Sequence, residues 1–181
     1  MKMISFFLKD KKDEDRGFTF IELLVVFSII GILSAVGFTS FATYGQSQAL
    51  NSAANNIVTF INLARSRAES QVKPEDCVNN NLELESYEVR LCGINNNFCI
   101  SGIKSPSFGY ELDVWCGGSS YLVANYSSKL SNSLVFDSST TTTSIVFPVL
   151  TGGVMGTGII VIKGYGQTKT ITVNTFGSTV Q

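Results

Sequence analysis

The chain has 181 residues, of which 44% are hydrophobic and 15% charged, with a formal net charge of −1 and no histidine. That length suits one domain plus an anchor. The missing histidine removes Ser-His-Asp and Cys-His nucleophiles and His-based metal centres, and the near-neutral balance gives no strong attraction to nucleic acid.

Residues 1–17 form a polar leader with Lys2, Lys9, Lys11, Lys12 and Arg16 against Asp10, Asp13, Glu14 and Asp15. From Phe18 to Phe38 the only ionisable side chain is Glu22. As a helix this stretch is about 32 Å long, enough to cross a hydrocarbon core of about 30 Å. Orientation follows Lys and Arg, so the leader is expected on the cytoplasmic side and everything after residue 38 outside. A carboxylate near one end of an apolar helix costs a few kcal/mol to bury, which a cationic amine from another chain would offset. The competing account is that Glu22 snorkels to the interface beside its own N-terminus. An ordinary secretory signal is a poor fit, because its apolar region is usually about 7–15 residues long. An ordinary signal anchor differs mainly in lacking the Gly17/Glu22 pair.

The run Gly17-Phe18-Thr19-Phe20-Ile21-Glu22-Leu23-Leu24 resembles the processing motif of type IV prepilins and type II secretion pseudopilins. The resemblance implies that a membrane-embedded prepilin peptidase and N-methyltransferase cuts between Gly17 and Phe18 and methylates the new Phe18 amine. It also implies that Glu22 meets the Phe18 amine of a neighbouring subunit during assembly. The implied partners are other pilin or pseudopilin subunits and the inner-membrane assembly machinery. The implied location is a single pass through the cytoplasmic membrane, then a pilus or pseudopilus. Loss of the leader takes five of 13 basic and four of 14 acidic residues, leaving 8 and 10, a formal charge of −2.

Residues 39–70 read as an amphipathic continuation of the helix. Ile57, Phe60, Ile61, Ala64 and Ala68 recur at spacings of three and four, with Asn55, Asn56, Asn62, Arg65, Arg67 and Glu69 mostly on other faces. No proline interrupts residues 18–73, and Pro74 marks a stop, so one helix of about 50 residues is expected. Gly31, Gly37 and Gly45 fit close helix packing in lipid; the sharper reading is that Gly31–Gly37 unwinds when the subunit enters a filament.

Residues 71–181 shift to Ser, Thr, Asn, Gly and β-branched types. Strands are expected at Tyr87–Cys92, Gly109–Cys116, Tyr121–Tyr126, Leu134–Phe136, Ser144–Phe147, Gly158–Lys163 and Lys169–Asn174. In the last, Ile171 and Val173 should face in and Thr170, Thr172 and Asn174 out. Ser138–Ser144 reads as a solvated Thr-rich connection. The expected fold is α+β: a long N-terminal helix, half transmembrane and half amphipathic, packed on a mainly antiparallel sheet of six to eight strands, large enough at about 111 residues to bury a core.

This layout also resembles GspH/FimT-type minor pseudopilins, through Leu63-Ala64-Arg65-Ser66-Arg67-Ala68 and the closing Thr170-Ile171-Thr172-Val173-Asn174-Thr175-Phe176-Gly177-Ser178. Some members of the FimT branch resemble DNA-uptake receptors that use basic residues near the C-terminus. Here Asn174–Gln181 contains no Lys or Arg, so nucleic acid is not an expected partner.

Cys77, Cys92, Cys99 and Cys116 all lie in the exported part, where an even number of cysteines favours disulfides over free thiols. Three pairings are possible; Cys92–Cys99 closing a short hairpin and Cys77–Cys116 tying the post-helix loop to the sheet are preferred. A zinc site would need closer spacing than 14, 6 and 16 intervening residues, and no metal or cofactor is expected. Glu83, Glu85 and Glu88 read as a solvated acidic patch, and Glu111 and Asp113 as the outer face of a half-buried strand. A carboxylate-pair hydrolase depends on separations in space that sequence does not give, yet nothing else points to catalysis. Tyr110, Trp115, Tyr121 and Tyr126 are read as packing rather than as a ligand platform. Asn125-Tyr126-Ser127 matches a glycosylation acceptor, a short pattern that recurs by chance. The expected role is a structural, minor subunit of a type IV pilus or type II secretion pseudopilus. The alternatives are a DNA- or surface-binding subunit at a filament tip and a non-polymerising, signal-anchored extracytoplasmic protein.

Overall fold

A computed structural model describes residues 18–94, 97–151 and 153–181, with the side chains of residues 35–40 and of Asn125 outside the description. The leader, including Gly17, therefore lies outside the described residues. Helix α1 runs Phe20–Glu69, close to the expected 50-residue length. The chain divides into two compact units, Met1–Ala42 and Thr43–Gln181.

In the first unit the apolar side chains of α1 are exposed, from Phe20 at 82% to Leu33 at 67%. Among the described residues no helix is long and apolar enough to cross a membrane. The expected span, Phe18–Phe38, reaches into residues whose side chains lie outside the description.

In the second unit α1 buries Leu50, Ala54, Ile57, Ile61, Ala64 and Ala68. Their spacing of three and four makes a single stripe, and its small residues let the sheet approach the helix closely. Phe60 flanks the stripe, edge-on to Tyr110 with ring centroids 4.8 Å apart. The helix ends before any proline acts. Gln71 takes a left-handed φ of 52°, and the Val72 N–H reaches back to the Arg67 carbonyl, a Schellman-type closure built without glycine. The hydroxyl of buried Tyr87 donates to the Val72 carbonyl just beyond, which pairs both buried polar groups and ties β1 to the segment after the helix. A short helix, α2 (Glu75–Asn79), follows and was not expected.

Eight strands follow: β1 Leu84–Cys92, β2 Gly109–Cys116, β3 Ser119–Lys129, β4 Leu134–Phe136, β5 Ser144–Pro148, β6 Gly158–Gly164, β7 Gln167–Asn174 and β8 Gly177–Val180. Seven were expected near these bounds; β8 was not. They form two four-stranded antiparallel sheets rather than one, in the orders β3-β2-β1-β5 and β4-β6-β7-β8. The split arises because β5 leaves its sequence neighbour β4 and pairs with β1, while β6 returns to pair with β4. Both sheets contribute to one core with α1, through Tyr87, Val89, Leu112, Val114, Ile145 and Phe147 on one side and Phe136, Ile160, Ile162, Ile171 and Val173 on the other. Ile171 and Val173 face in as expected.

The Thr-rich connection is not simply solvated. Thr140 and Thr142 are buried, at 8% and 6% exposure. The hydroxyl oxygens of Thr140 and Thr141 accept the N–H groups of Val161 and Ile159 along β6. Side-chain oxygens here satisfy an edge that would otherwise stay open. Gly117 and Gly118, with φ of 56° and 75°, make the two-residue β2–β3 turn that L side chains would strain.

Candidate functional site

The N-terminal site starts at Phe18, which is 79% exposed, and continues into the first turn of α1. The Thr19 hydroxyl oxygen accepts the Glu22 N–H at 3.3 Å, and the Thr19 carbonyl accepts the Leu23 N–H at 3.2 Å. Thr19 is thus the helix cap, and Thr19-Phe20-Ile21-Glu22 is a T-x-x-E capping pattern that the sequence reading did not use. It gives Glu22 a second, local reason to be where it is. A carboxylate in the first turn meets the positive end of the helix dipole, with its side chain exposed and available to another chain. Gly17 lies outside the described residues, so of the expected cut site only Phe18 is described.

The cysteines pair as Cys77–Cys116 and Cys92–Cys99, with Cα separations of 5.8 and 5.5 Å. The first ties α2 to the end of β2; the second closes the turn after β1. Cys92, Cys99 and Glu111 bring their ligand atoms within 4.8 Å of one another. In the disulfide neither sulfur is a thiolate, so this trio offers a metal only one carboxylate.

The acidic side chains depart most from expectation. Glu88, Glu111 and Asp113 are buried, at 6%, 0% and 0% exposure, not solvated. They lie on the face of the first sheet turned away from α1, where the register sets Glu88 opposite Asp113 and Arg90 opposite Glu111. The β1–β2 connection, residues 97–108, forms a strap that covers this face at Glu111 and Cys92. Glu111 accepts the strap's Ile100 and Ser101 N–H groups at 2.7 and 2.9 Å, and Cys99 and Ile103 pack with Cys92 beside it. Alternation put Glu111 and Asp113 on one face of β2 but could not show that Glu88 of β1 joins them there or that the face is buried.

Arg90 Nη2 lies 3.1 Å from Glu88 Oε2 and 3.2 Å from Asp113 Oδ2. Glu88 also accepts hydrogen bonds from Trp115 Nε1, at 2.7 Å, and from the Ser144 hydroxyl. Burial pushes its pKa up, but these donors and Arg90 outweigh that and hold it below the ordinary value. Asp113 has the Arg90 charge nearby, yet neither of its oxygens accepts a hydrogen bond among the described residues. Burial first, then Glu111, raises its pKa to about 7 against the opposing pull of Arg90, with Glu88 adding a smaller push upward. The Arg90 guanidinium is thus shared by Glu88 and Asp113, while Glu111 is held by the Ile100 and Ser101 N–H groups.

Tyr110 is buried against Phe60, and Tyr126 takes the Arg67 guanidinium 4.3 Å from its ring centroid, so both pack as expected. Trp115 is half-buried and bonded to Glu88. A depression of approximately 260 Å³ lies between the strap and β4, lined by Pro106, Phe108, Leu130, Ser131, Leu134 and neighbours, without a titratable side chain.

No curated protein and no solved structure matches the chain. Residues 13–38 match the family model described as the prokaryotic N-terminal methylation motif. That motif implies a type IV pilin-like N-terminus, processed as a prepilin and assembled with other pilin subunits; it places Gly17, Phe18 and Glu22 within the matched stretch.

Proposed function

We propose that this chain is a prepilin-type precursor, cut after Gly17, methylated on Phe18 and assembled through its N-terminal helix into a type IV pilus or type II secretion pseudopilus. The observation that carries the reading is the N-terminal methylation motif over residues 13–38, with Glu22 in the first turn of an exposed apolar helix. Before assembly the Phe18–Phe38 helix spans the cytoplasmic membrane, leader inside and the β-rich unit outside. Its exposed apolar surface needs either lipid or other copies of the helix. An uncut chain has no free amine at Phe18, so cleavage licenses pairing with Glu22 of a neighbour. The role is assembly, not catalysis.

The minor, GspH/FimT-type rank is supported by one further observation. The two segments that carry that resemblance, at the end of α1 and at the β7–β8 turn, touch through Arg65 and Phe176.

Mass spectrometry of the N-terminus of protein from native membranes tests the proposal. A methylated Phe18 is the expected result. An intact Met1, or a cut near Ser34–Ala35, would overturn it and leave an anchored or secreted protein.

A further inference from the structure

Among the described residues the two sheets end in four edge strands, β3, β5, β4 and β8, and three of these are guarded. On β5, Val146 exchanges both backbone hydrogen bonds with Met155 at 2.8 Å, and the strand ends in Pro148. β4 is three residues long, and beyond it Thr140 and Thr141 close the edge of β6. β3 breaks register opposite Glu111–Asp113 and ends in Lys129. Short strands, irregularities, proline, lysine and covering segments are the devices that keep sheets from joining one another. β8 has only its shortness. It pairs with β7 alone, in unbroken register, and Asn174–Gln181 holds no charged side chain and no proline.

The direction of its free groups follows from the ladder. Thr170 and Gln181 exchange both backbone hydrogen bonds, so the other bonded pairs are Thr172–Thr179 and Asn174–Gly177. Ser178 and Val180 therefore turn their N–H and carbonyl groups away from β7. Among the described residues those four groups have no backbone partner, and the Ser178 hydroxyl is buried without one as well. Arg65 and Asn174 hold the hairpin at its turn, so the open edge belongs to a braced strand.

We propose that β8 is a pairing edge for a second copy of this chain. The two β8 strands run antiparallel about a two-fold axis at Thr179 and join two four-stranded sheets into one of eight strands. Three observations select this occupant. The other edges are guarded, so β8 is the edge that another copy can offer. Its side chains carry no charge, so it does not repel its twin. The antiparallel register is self-complementary: Ser178 exchanges both hydrogen bonds with Val180 of the other copy, Val180 does so with its Ser178, and the two Thr179 residues meet as a narrow pair. On the outer face Thr172, Thr179 and their twins then form one row, a favourable cross-strand match. A two-fold contact closes on itself, so it makes pairs of subunits and is separate from any contact that repeats along a filament. The inference rests on the β-rich unit and does not depend on the processing reading.

Disulfide trapping in cells producing the full chain tests it. Thr179→Cys should give a disulfide-linked homodimer under mild oxidation, because Cα atoms of a narrow pair lie about 4.5 Å apart, within disulfide reach. Thr175→Cys, exposed in the adjoining turn, should not. Adding Val180→Pro removes an N–H that β7 does not use, and should abolish the Thr179→Cys dimer while the hairpin persists. No dimer at Thr179, equal trapping at Thr175, trapping that survives Val180→Pro, or capture of a different protein would overturn the proposal. Hydrogen exchange of the unsubstituted chain in detergent gives an answer that needs no variant. The Ser178 and Val180 amides should slow by about tenfold or more as protein concentration rises, with Ile160 unchanged. Rates at those two amides that ignore concentration would equally overturn it.

Discussion

Arg65 Nη1 donates a 2.8 Å hydrogen bond to the carbonyl oxygen of Phe176, 111 residues further along the chain, while its Nε holds Glu69 Oε1 at 2.9 Å. The β7–β8 turn it reaches is also braced from within, because Asn174 Oδ1 accepts the N–H groups of both Phe176 and Gly177. One guanidinium thus fixes the last hairpin to the last two turns of α1, using two edges of its planar fork at once. Phe176 itself stays 90% exposed, so the contact is made by backbone and not by apolar burial.

Replacing Arg65 should loosen that hairpin selectively. Arg65→Ala is expected to cost about 1 kcal/mol, since the pair with Glu69 is substantially exposed and a single hydrogen bond contributes about that much. Amide exchange in β8 should accelerate more than in β6. Arg65→Lys should not restore protection, because a single ammonium cannot reproduce the fork. Equal protection of β8 in all three proteins would show that the contact has no energetic weight.

Glu88 predicts an acid limb. Its pKa lies below the ordinary carboxylate value, so its contribution is present above about pH 4.5 and is lost as pH falls through the folded value. Trp115, the sole tryptophan, donates to this carboxylate, so indole fluorescence reports the same event. Glu88→Ala strands Trp115 Nε1, the Ser144 hydroxyl and half of the Arg90 contacts, and should cost about 2–4 kcal/mol at pH 7. Urea melts followed by that fluorescence measure it, and an unchanged midpoint would contradict the network.

The two disulfides should differ in weight. Cys77–Cys116 closes 39 residues of separation and Cys92–Cys99 only 7. On chain entropy, removing the first as Cys77→Ala with Cys116→Ala should cost about 4 kcal/mol. The equivalent change at the second should cost about 2–3 kcal/mol. Chemical denaturation of the two double variants gives the comparison; the reverse order would mean that burial of the strap outweighs loop closure.

Glu22 should matter for assembly and not for folding of the β-rich unit. Glu22→Ala is expected to leave cleavage at Gly17 intact and reduce incorporation into filaments by at least about a hundredfold, the scale of losing one partner of a buried ion pair. Fractionation of sheared filaments against membrane protein reads this directly. Normal filament yield would remove Glu22 from the mechanism.

The sequence by itself determined most of the α1 stripe and seven of the eight strands, and it favoured disulfides with three pairings open, of which the structure contains the preferred one. These are local matters: helical spacing in Ile57–Ala68, alternation in Ile171–Val173, and the parity and compartment of four cysteines; that the stripe starts earlier, at Leu50 and Ala54, came from the structure. It also carried the N-terminal motif, although the T-x-x-E cap at Thr19 went unread. Only the tertiary structure decided that β5 pairs with β1, which divides the strands into two sheets. It also decided that Glu111 and Asp113 are buried, because burial of a strand's second face depends on how the rest of the chain packs on it; at Glu111 the cover is the β1–β2 connection, whose Ile100 and Ser101 N–H groups the carboxylate accepts. Alternation says which side chains share a face. It does not say whether that face is buried, and here burial raises the pKa of Asp113 to about 7.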